Sequence, residues 1–221
     1  QAQIWLGKAV EGFKRVGDPF GRCAAWLWLA LDAWWRGDYD ASLGYLAEIL
    51  PLAREQGWDS LLVRPTLLGL NDDQAALPLL VEARRRGFES PYVGRLLQVL
   101  RLVDAEYHPG YALFVRSLGS FAVWRGNEPV AAADWKREKA RRLFQLLMTY
   151  RGQWLYREQI VEQLWPALSP EAASRDFRVV LNALNGALEP GRPRNAAAFF
   201  VLRRGGQYGL NPAAQIHVDA D

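Results

Sequence analysis

The chain has 221 residues and a mass of 25.0 kDa, which is the length of one large domain or two small ones. Half of the residues are hydrophobic and 23% are charged, a balance that allows a buried core and excludes a disordered chain. The longest apolar run, residues 23–31, is far shorter than the ~20 residues of a membrane span. We therefore expect a soluble protein with no membrane partner.

The single cysteine, Cys23, cannot form an internal disulfide, and this favours a reducing, cytoplasmic compartment. The chain begins at Gln1 rather than at a methionine, so we expect a fragment of a longer polypeptide.

The net charge of +3 is unevenly distributed along the chain. Residues 1–107 carry 12 Lys and Arg against 14 Asp and Glu, whereas residues 108–221 carry 15 against 10. The polar stretch that ends at Pro109-Gly110 predicts a boundary between two domains at this point. Nucleic acid is the usual partner of a basic domain such as residues 108–221.

Residues 1–107 are predicted to be helical throughout. A helix should begin at Asp18-Pro19 and end at Gly37, with further starts near Asp40, Asn71 and Ser90. Three helix ends carry basic residues, then a glycine, then an acid: Gly17-Asp18, Gly57 before Asp59, and Gly87 before Glu89. The glycines lie 40 and 30 residues apart, which brackets the spacing of stacked helix pairs. The pattern predicts an all-α helical-repeat domain, and it resembles tetratricopeptide repeats.

Residues 108–221 change to a mixed pattern, so the fold class is α+β overall. Strands are predicted at 113–118 and 120–124, before a two-residue turn at Gly126-Asn127. Helices are predicted at 135–150 with Asp134 as cap, at 156–165, and at 170–188 after Ser169. A hairpin around Gly205-Gly206 closes the series. This order is typical of a winged helix-turn-helix with an N-terminal sheet and a C-terminal wing.

The third predicted helix has an apolar stripe and an opposite polar face. Arginine can donate two hydrogen bonds to guanine, and asparagine can pair with adenine, so the polar face suits base recognition. The alternative is that this polar face is simply exposed to solvent, and the helix taken by itself favours that alternative. The candidate DNA-binding residues on this face are Ser174, Arg175, Arg178, Asn182 and Asn185.

The hairpin strengthens the DNA-binding interpretation. Arg203 and Arg204 directly precede the Gly-Gly turn, while Arg192 and Arg194 lie in the preceding loop. No acid occurs between Pro190 and Pro212, so these four arginines form a candidate phosphate clamp. A basic solubilising loop is the alternative.

Four blocks resemble the OmpR-type DNA-binding domain, and most closely its variant in Streptomyces antibiotic regulatory proteins. They are residues 136–147, 157–166 with the ending Leu-Trp-Pro, 178–185, and 205–210 with the sequence Gly-Gly-Gln-Tyr-Gly-Leu. In those regulators a bacterial transcriptional activation domain follows the wing, and residues 216–221 resemble the lead-in to it.

The resemblance implies double-stranded DNA as the partner. It places Ser174, Arg175, Arg178 and Asn182 in the major groove, and Arg203, Arg204 or both on the DNA backbone. It also implies RNA polymerase as a further partner through residues 167–169, although this connection is very short here. A homodimer on DNA fits the limited surface of one module. Residues 1–107 lack the alternating strands of a phosphorelay receiver, so they would sense a protein or an effector instead.

The sequence therefore predicts a fragment of a bacterial transcription regulator and not an enzyme. The two histidines are 109 residues apart and are interpreted as solvated, and the chain contains no H-E-x-x-H, C-x-x-C or G-x-S-x-G motif. We expect no metal and no cofactor. The alternative is a protein-interaction module whose winged helix binds protein. The tryptophans of the first half are assigned to core packing, with an aromatic binding groove as the other interpretation.

Overall fold

The computed structural model describes residues 2–72, 74–88 and 90–220, without the side chain of Ser90. It divides into two compact units, Gln1–Gly110 and Tyr111–Asp221; the sequence-based boundary is at residue 107. The mixed α and β composition is confirmed, with helices in the first unit and small sheets in the second. Two residues named in the predictions lie outside the described residues. Asp73 belongs to the helix start predicted near Asn71, and Glu89 belongs to the segment around Gly87.

The described part of the first unit is built from helices. They are α1 (Ala2–Val16), α2 (Pro19–Trp35), α3 (Tyr39–Gln56), α4 (Asp59–Val63), α5 (Leu77–Arg85) and α6 (Ser90–Val99). α2 packs between α1 and α3, and α5 packs against both α3 and α6. Apolar residues of α2, α3 and α5 are buried in this packing, with Leu27, Leu46 and Leu80 fully inaccessible to solvent, whereas α1 contains no buried residue.

Among the described residues of the first unit, four helix ends have the same geometry. Gly17, Gly37, Gly57 and Gly87 each adopt a φ of +70° to +79°. The N–H of the residue after each glycine donates to a carbonyl five residues back, at 2.8–2.9 Å. This is the Schellman arrangement, in which a left-handed glycine allows the last carbonyls of the helix to be paired. The predicted stops at Gly37, Gly57 and Gly87 are confirmed.

The end of α6 uses the same arrangement with an arginine in place of glycine. Arg101 has a φ of +58°, and the N–H of Leu102 donates to Leu97 O at 2.8 Å.

A residue other than glycine costs about 1–2 kcal/mol in the left-handed region. Glycine avoids this cost in the folded state, but it loses part of the gain because its backbone has more freedom in the unfolded state. We expect Arg101→Gly to raise the free energy of unfolding by about 0.5–1 kcal/mol. Urea denaturation would measure this gain, and Gly57→Ala, where no atom lies within 4 Å of the new Cβ, should show a loss of about 1 kcal/mol. A loss in Arg101→Gly would contradict the explanation.

Three expectations for the first unit are wrong. The first is core packing of its tryptophans, because Trp35 is 65% exposed and the others of the cluster are only half-buried: Trp26, Trp28, Trp34 and Trp58. No helix begins near Asn71 in the described residues. Asp72 Oδ1 instead accepts from Gln74 N at 2.8 Å, which closes a turn, and α5 begins only at Leu77.

His108 is 2% exposed, so it is not solvated as expected, and burial lowers its pKa to about 3. Its Nδ1 accepts from Gly110 N at 3.0 Å, and this bond requires an unprotonated nitrogen. Cys23 is buried as expected, and burial raises the pKa of its thiol to about 11.

The second unit contains two small sheets. Strands β1 (Leu113–Arg116), β2 (Ala122–Arg125), β3 (Glu128–Pro129) and β7 (Ile216–Val218) form a sheet of order β3-β2-β1-β7, in which only the β1–β7 pair is parallel. Strands β4 (Leu155–Tyr156), β5 (Val201–Arg204) and β6 (Gln207–Leu210) form an antiparallel sheet of order β4-β6-β5. Arg125 pairs with Glu128, which confirms the predicted two-residue turn.

Three helices lie between these strands in the chain: α7 (Glu138–Thr149), α8 (Arg157–Leu164) and α9 (Pro170–Leu188). They pack against one another, and Phe144, Ile160 and Phe177 are at most 1% exposed.

The prediction that Asp134 caps the first of these helices is wrong. α7 begins at Glu138, after a turn in which Lys136 adopts a φ of +57°. Asp134 Oδ2 instead accepts from Ala131 N and from Arg125 Nη2, both at 3.1 Å.

In the described ranges, no helix combines the length and the apolar character that crossing a bilayer requires.

Candidate functional site

Helix α9 has the predicted bounds because its ends are specified locally. Ser169 Oγ accepts from Ala172 N, and Pro170 occupies the first helical position, where its missing N–H is not needed. At the other end, Tyr111 Oη donates to Leu188 O at 2.8 Å, and Arg125 Nη1 donates to Ala187 O at 3.1 Å. These bonds pair carbonyls that the helix itself leaves open.

The buried face of α9 follows the predicted stripe. Five of its six members are buried, and Leu181 is half-buried; the buried ones are Ala173, Phe177, Val180, Leu184 and Leu188. The ring of Phe177 lies edge-on to Tyr208 on β6, with 4.9 Å between centroids. It also contacts Trp165 at the end of α8, at 6.3 Å. The packing of this one ring therefore joins α9 to α8 and to the β5–β6 hairpin.

The outer face of α9 carries most of the predicted contact residues. Arg175, Arg178 and Asn182 are exposed, and Ser174 is half-buried. Asn185 differs from the other residues of this set, because it is only 8% exposed. Its Oδ1 atom is buried and has no hydrogen-bond partner in the protein.

The β5–β6 hairpin presents two arginines beside its turn. Gly205 and Gly206 adopt φ values of +53° and +89°, as a tight two-residue hairpin turn requires. Arg203 and Arg204 are both exposed. The guanidinium of Arg204 lies 4.6 Å from the ring centroid of Trp154, a cation–π contact that holds it against the β4 side of the hairpin.

The two predicted loop arginines differ in their surroundings. Arg194 is exposed. Arg192 is held within the protein: Nη1 donates to Ala196 O at 2.5 Å, Nε lies 3.4 Å from Glu189 Oε2, and its side chain is 23% exposed. Arg192 therefore differs from a free side chain, because its guanidinium is paired within the loop; its contact with phosphate stays a prediction.

Glu189 organises the same loop from its buried end. The residue is 2% exposed, and Oε1 accepts from Phe199 N and Phe200 N, both at 2.9 Å. Burial raises the pKa of Glu189 above its usual value and outweighs the two backbone hydrogen bonds and the Arg192 charge, which lower it. Glu189 thus fixes where the chain enters β5.

A groove of about 580 Å³ lies between α9 and the hairpin. Within the described ranges no acidic residue lines it, although Glu189 and Glu158 pair with two of its arginines. The polar lining residues are Arg157, Arg178, Asn182, Asn185, Arg192 and Arg203. Five of the nine predicted site residues therefore line one opening, and the other four do not: Ser174, Arg175, Arg194 and Arg204.

Arg157 is a lining residue that the sequence-based prediction omitted. It is the first residue of α8, and its N–H lies 3.4 Å from Gly206 O at the hairpin turn. The available signal was the strand-like pair Leu155-Tyr156, which forms β4 and pairs with β6. Recognising that pairing would have placed Arg157 beside the hairpin.

The connection between α8 and α9 is held by a buried tryptophan. Trp165 is 2% exposed, and its Nε1 donates to Asp176 Oδ2 at 2.5 Å. Lys139 Nζ lies 4.6 Å from the centroid of the same ring. These contacts orient the N-terminal half of α9, where Ser174 and Arg175 lie.

Among the described residues, no group of three or more His, Cys, Asp or Glu has the geometry to hold a metal ion. Comparisons with protein-family models, curated proteins and solved structures found no match to this chain.

Proposed function

We propose that residues 111–221 form a winged helix-turn-helix domain that binds double-stranded promoter DNA, within a cytoplasmic bacterial transcription regulator. α9 would enter the major groove, and β5–β6 would act as the wing. The helices of the first unit would act as tetratricopeptide-like repeats that receive a signal from a protein or an effector. No catalytic step is included in this proposal.

The observation that carries the proposal is the arginine-lined groove between α9 and the hairpin. Arg178 on the helix and Arg203 on the hairpin line the same opening and are both exposed. An α-helix fits the major groove of B-DNA, and phosphate contacts from a neighbouring element fix its position there. Arg175 and Asn182 extend the polar face of the helix on which base recognition depends.

A second candidate function is binding of an acidic peptide. The groove also has an apolar lining, formed by Leu181, Val201 and Leu202. This lining suits the apolar side chains of a protein partner, whereas the arginines suit either an acidic peptide or DNA. A protein partner would require no base-specific role for Arg178, so the two functions differ in their response to the same substitution.

The test is binding of the full chain to a random-sequence duplex pool across a salt series, with selection of the bound fraction. We expect a selected motif and an affinity that falls steeply with salt because counterions are released. Arg178→Ala should weaken binding to the selected site by about 1–3 kcal/mol and relax specificity there. Arg203→Ala should weaken binding to all sequences alike and reduce the salt slope by about one unit.

Arg64→Ala is the matched control, because it removes the same charge from an exposed position of the first unit. It should leave the selected motif and the salt slope unchanged. Absence of binding at low salt, or an equal effect of all three substitutions, would contradict the proposal. Binding to an acidic peptide without DNA binding would support the second function.

A further inference from the structure

Helix α9 carries one large apolar side chain on its outer face. Val179 is 45% exposed, and among the residues of α7, α8 and α9, all of which the structure describes, it is the only exposed large apolar residue. It does not belong to the buried stripe of α9. The packing of the folded chain therefore leaves much of this side chain open to solvent.

Local helix chemistry disfavours a valine at this position. A β-branched side chain loses rotamer freedom in a helix, so alanine or a straight-chain polar residue would stabilise an exposed helical position better. A single exposed apolar residue is common on protein surfaces. Val179 is distinguished from such residues by its neighbours on the helix.

Val179 lies in one row with two of the predicted base contacts. Arg175 precedes it by four residues and Asn182 follows it by three, and residues at these spacings are neighbours on a helix surface. Both neighbours are exposed. The row rises about 10 Å along the helix axis, which is roughly the height of three base-pair steps. Base edges that Arg175 and Asn182 approach therefore also come close to Val179.

The isopropyl group of Val179 can distinguish bases in one way. It has no hydrogen-bond donor or acceptor, so it cannot pair with the polar atoms of the base edges. Thymine presents a methyl group at C5 in the major groove, and apolar side chains contact this group. Against a polar base edge the same side chain would exclude water without replacing its hydrogen bonds, which is unfavourable. The chemistry of this side chain thus favours thymine.

We propose that Val179 is a specificity-determining residue of α9 that contacts the C5 methyl group of a thymine in the major groove, between the bases that Arg175 and Asn182 approach. This role rests on the proposed function, because it requires α9 to enter the major groove. It adds an apolar contact to a recognition face that otherwise consists of hydrogen-bonding side chains, and it requires a thymine in the selected site.

The experiment replaces each thymine of the duplex selected by the full chain with deoxyuridine, which lacks only the methyl group, one position at a time. We expect the replacement at one position to weaken binding by the native chain about fourfold, the usual effect of burying one carbon-sized apolar group. The same replacement should leave binding by Val179→Ala unchanged, because alanine lacks the two methyl groups of valine that reach the base. Circular dichroism checks that the helices of the variant are retained, which we expect because the position is exposed.

Leu118→Ala is the matched control. It shortens another exposed apolar side chain, in the turn between β1 and β2 and outside the proposed DNA interface, and it should keep the fourfold difference between thymine and deoxyuridine. A selected site without thymine, equal binding of both duplexes by the native chain, or a difference that persists in Val179→Ala would overturn the role of Val179 and leave sequence-specific DNA binding intact. Absence of binding to any duplex would overturn the proposed function as well.

Discussion

Replacing Glu189 with alanine is expected to lower the free energy of unfolding by about 2–4 kcal/mol, since each buried N–H left without an acceptor costs about 1–3 kcal/mol. Oε1 of Glu189 accepts from both Phe199 N and Phe200 N, so alanine leaves two donors unpaired. It also removes the carboxylate beside Arg192. Urea denaturation of the full chain, combined with amide exchange at Phe199 and Phe200, measures the loss and locates it.

Glu189→Gln is the matched variant, because an amide oxygen can still accept at the Oε1 position. Its loss should be less than half that of Glu189→Ala. An equal loss in the two variants would mean that the negative charge, and not the pair of backbone hydrogen bonds, maintains the entry to β5.

The native chain and Glu189→Gln should also differ in how their free energy of unfolding depends on pH. The pKa of Glu189 is raised in the folded state, so the folded chain holds this proton to a higher pH than the unfolded chain does. The stabilising contribution is therefore complete below the unfolded pKa and is lost as the pH rises through the folded pKa. Glu189→Gln cannot titrate, so its stability relative to the native chain should improve as the pH rises above about 4.5. A difference that is constant with pH would contradict the raised pKa.

Local signals explain why α9 was predicted with its exact bounds. Ser169, Pro170 and the later Pro190 specify its ends through capping and the geometry of proline. The three- and four-residue spacing of its apolar residues identifies the buried face. The same kind of local chemistry predicts the turns at Gly126-Asn127 and Gly205-Gly206, because Gly126, Gly205 and Gly206 adopt positive φ values, which glycine accepts at little cost.

Periodicity alone could not determine where Asn185 would lie. It occurs on the polar side of the stripe, but the loop of residues 190–198 returns to the end of α9 and is held there by Glu189. A helix wheel describes one helix and does not include the chain that folds over it. The same loop explains Arg192, whose charge counts toward a basic segment in the sequence although its guanidinium is used internally.

Asp134 and His108 show that local sequence patterns also fail to predict tertiary contacts in turns and loops. Asp134 has the chemistry of a helix cap, but its Oδ2 accepts a hydrogen bond from Arg125, nine residues earlier in the chain. His108 is a polar residue in a polar stretch, and only the tertiary structure shows its burial. Each depends on a neighbour that no local pattern specifies.

Phe177→Ala is expected to cost about 3–5 kcal/mol of unfolding free energy, the usual range for removing a buried phenyl ring. The residue is 1% exposed, and its ring contacts Trp165 and Tyr208. The substitution leaves a cavity where α9, the end of α8 and β6 meet. Thermal or urea unfolding of the full chain, followed by amide exchange along α9, would measure the effect.

Phe114→Ala is the control for the loss of a phenyl ring as such. Phe114 is 44% exposed and stacks on His217 at 4.8 Å, so its removal creates no internal cavity and should cost much less. The comparison has a second readout at the groove. Phe177 joins α9 to the hairpin, and these two elements carry Arg178 and Arg203, which line the groove. Faster amide exchange in β5 and β6 is therefore expected in Phe177→Ala and not in Phe114→Ala. Equal losses in the two variants, or unchanged exchange in the hairpin, would show that the α9–hairpin geometry is held by other contacts, with the Glu189 hydrogen bonds as the next to test.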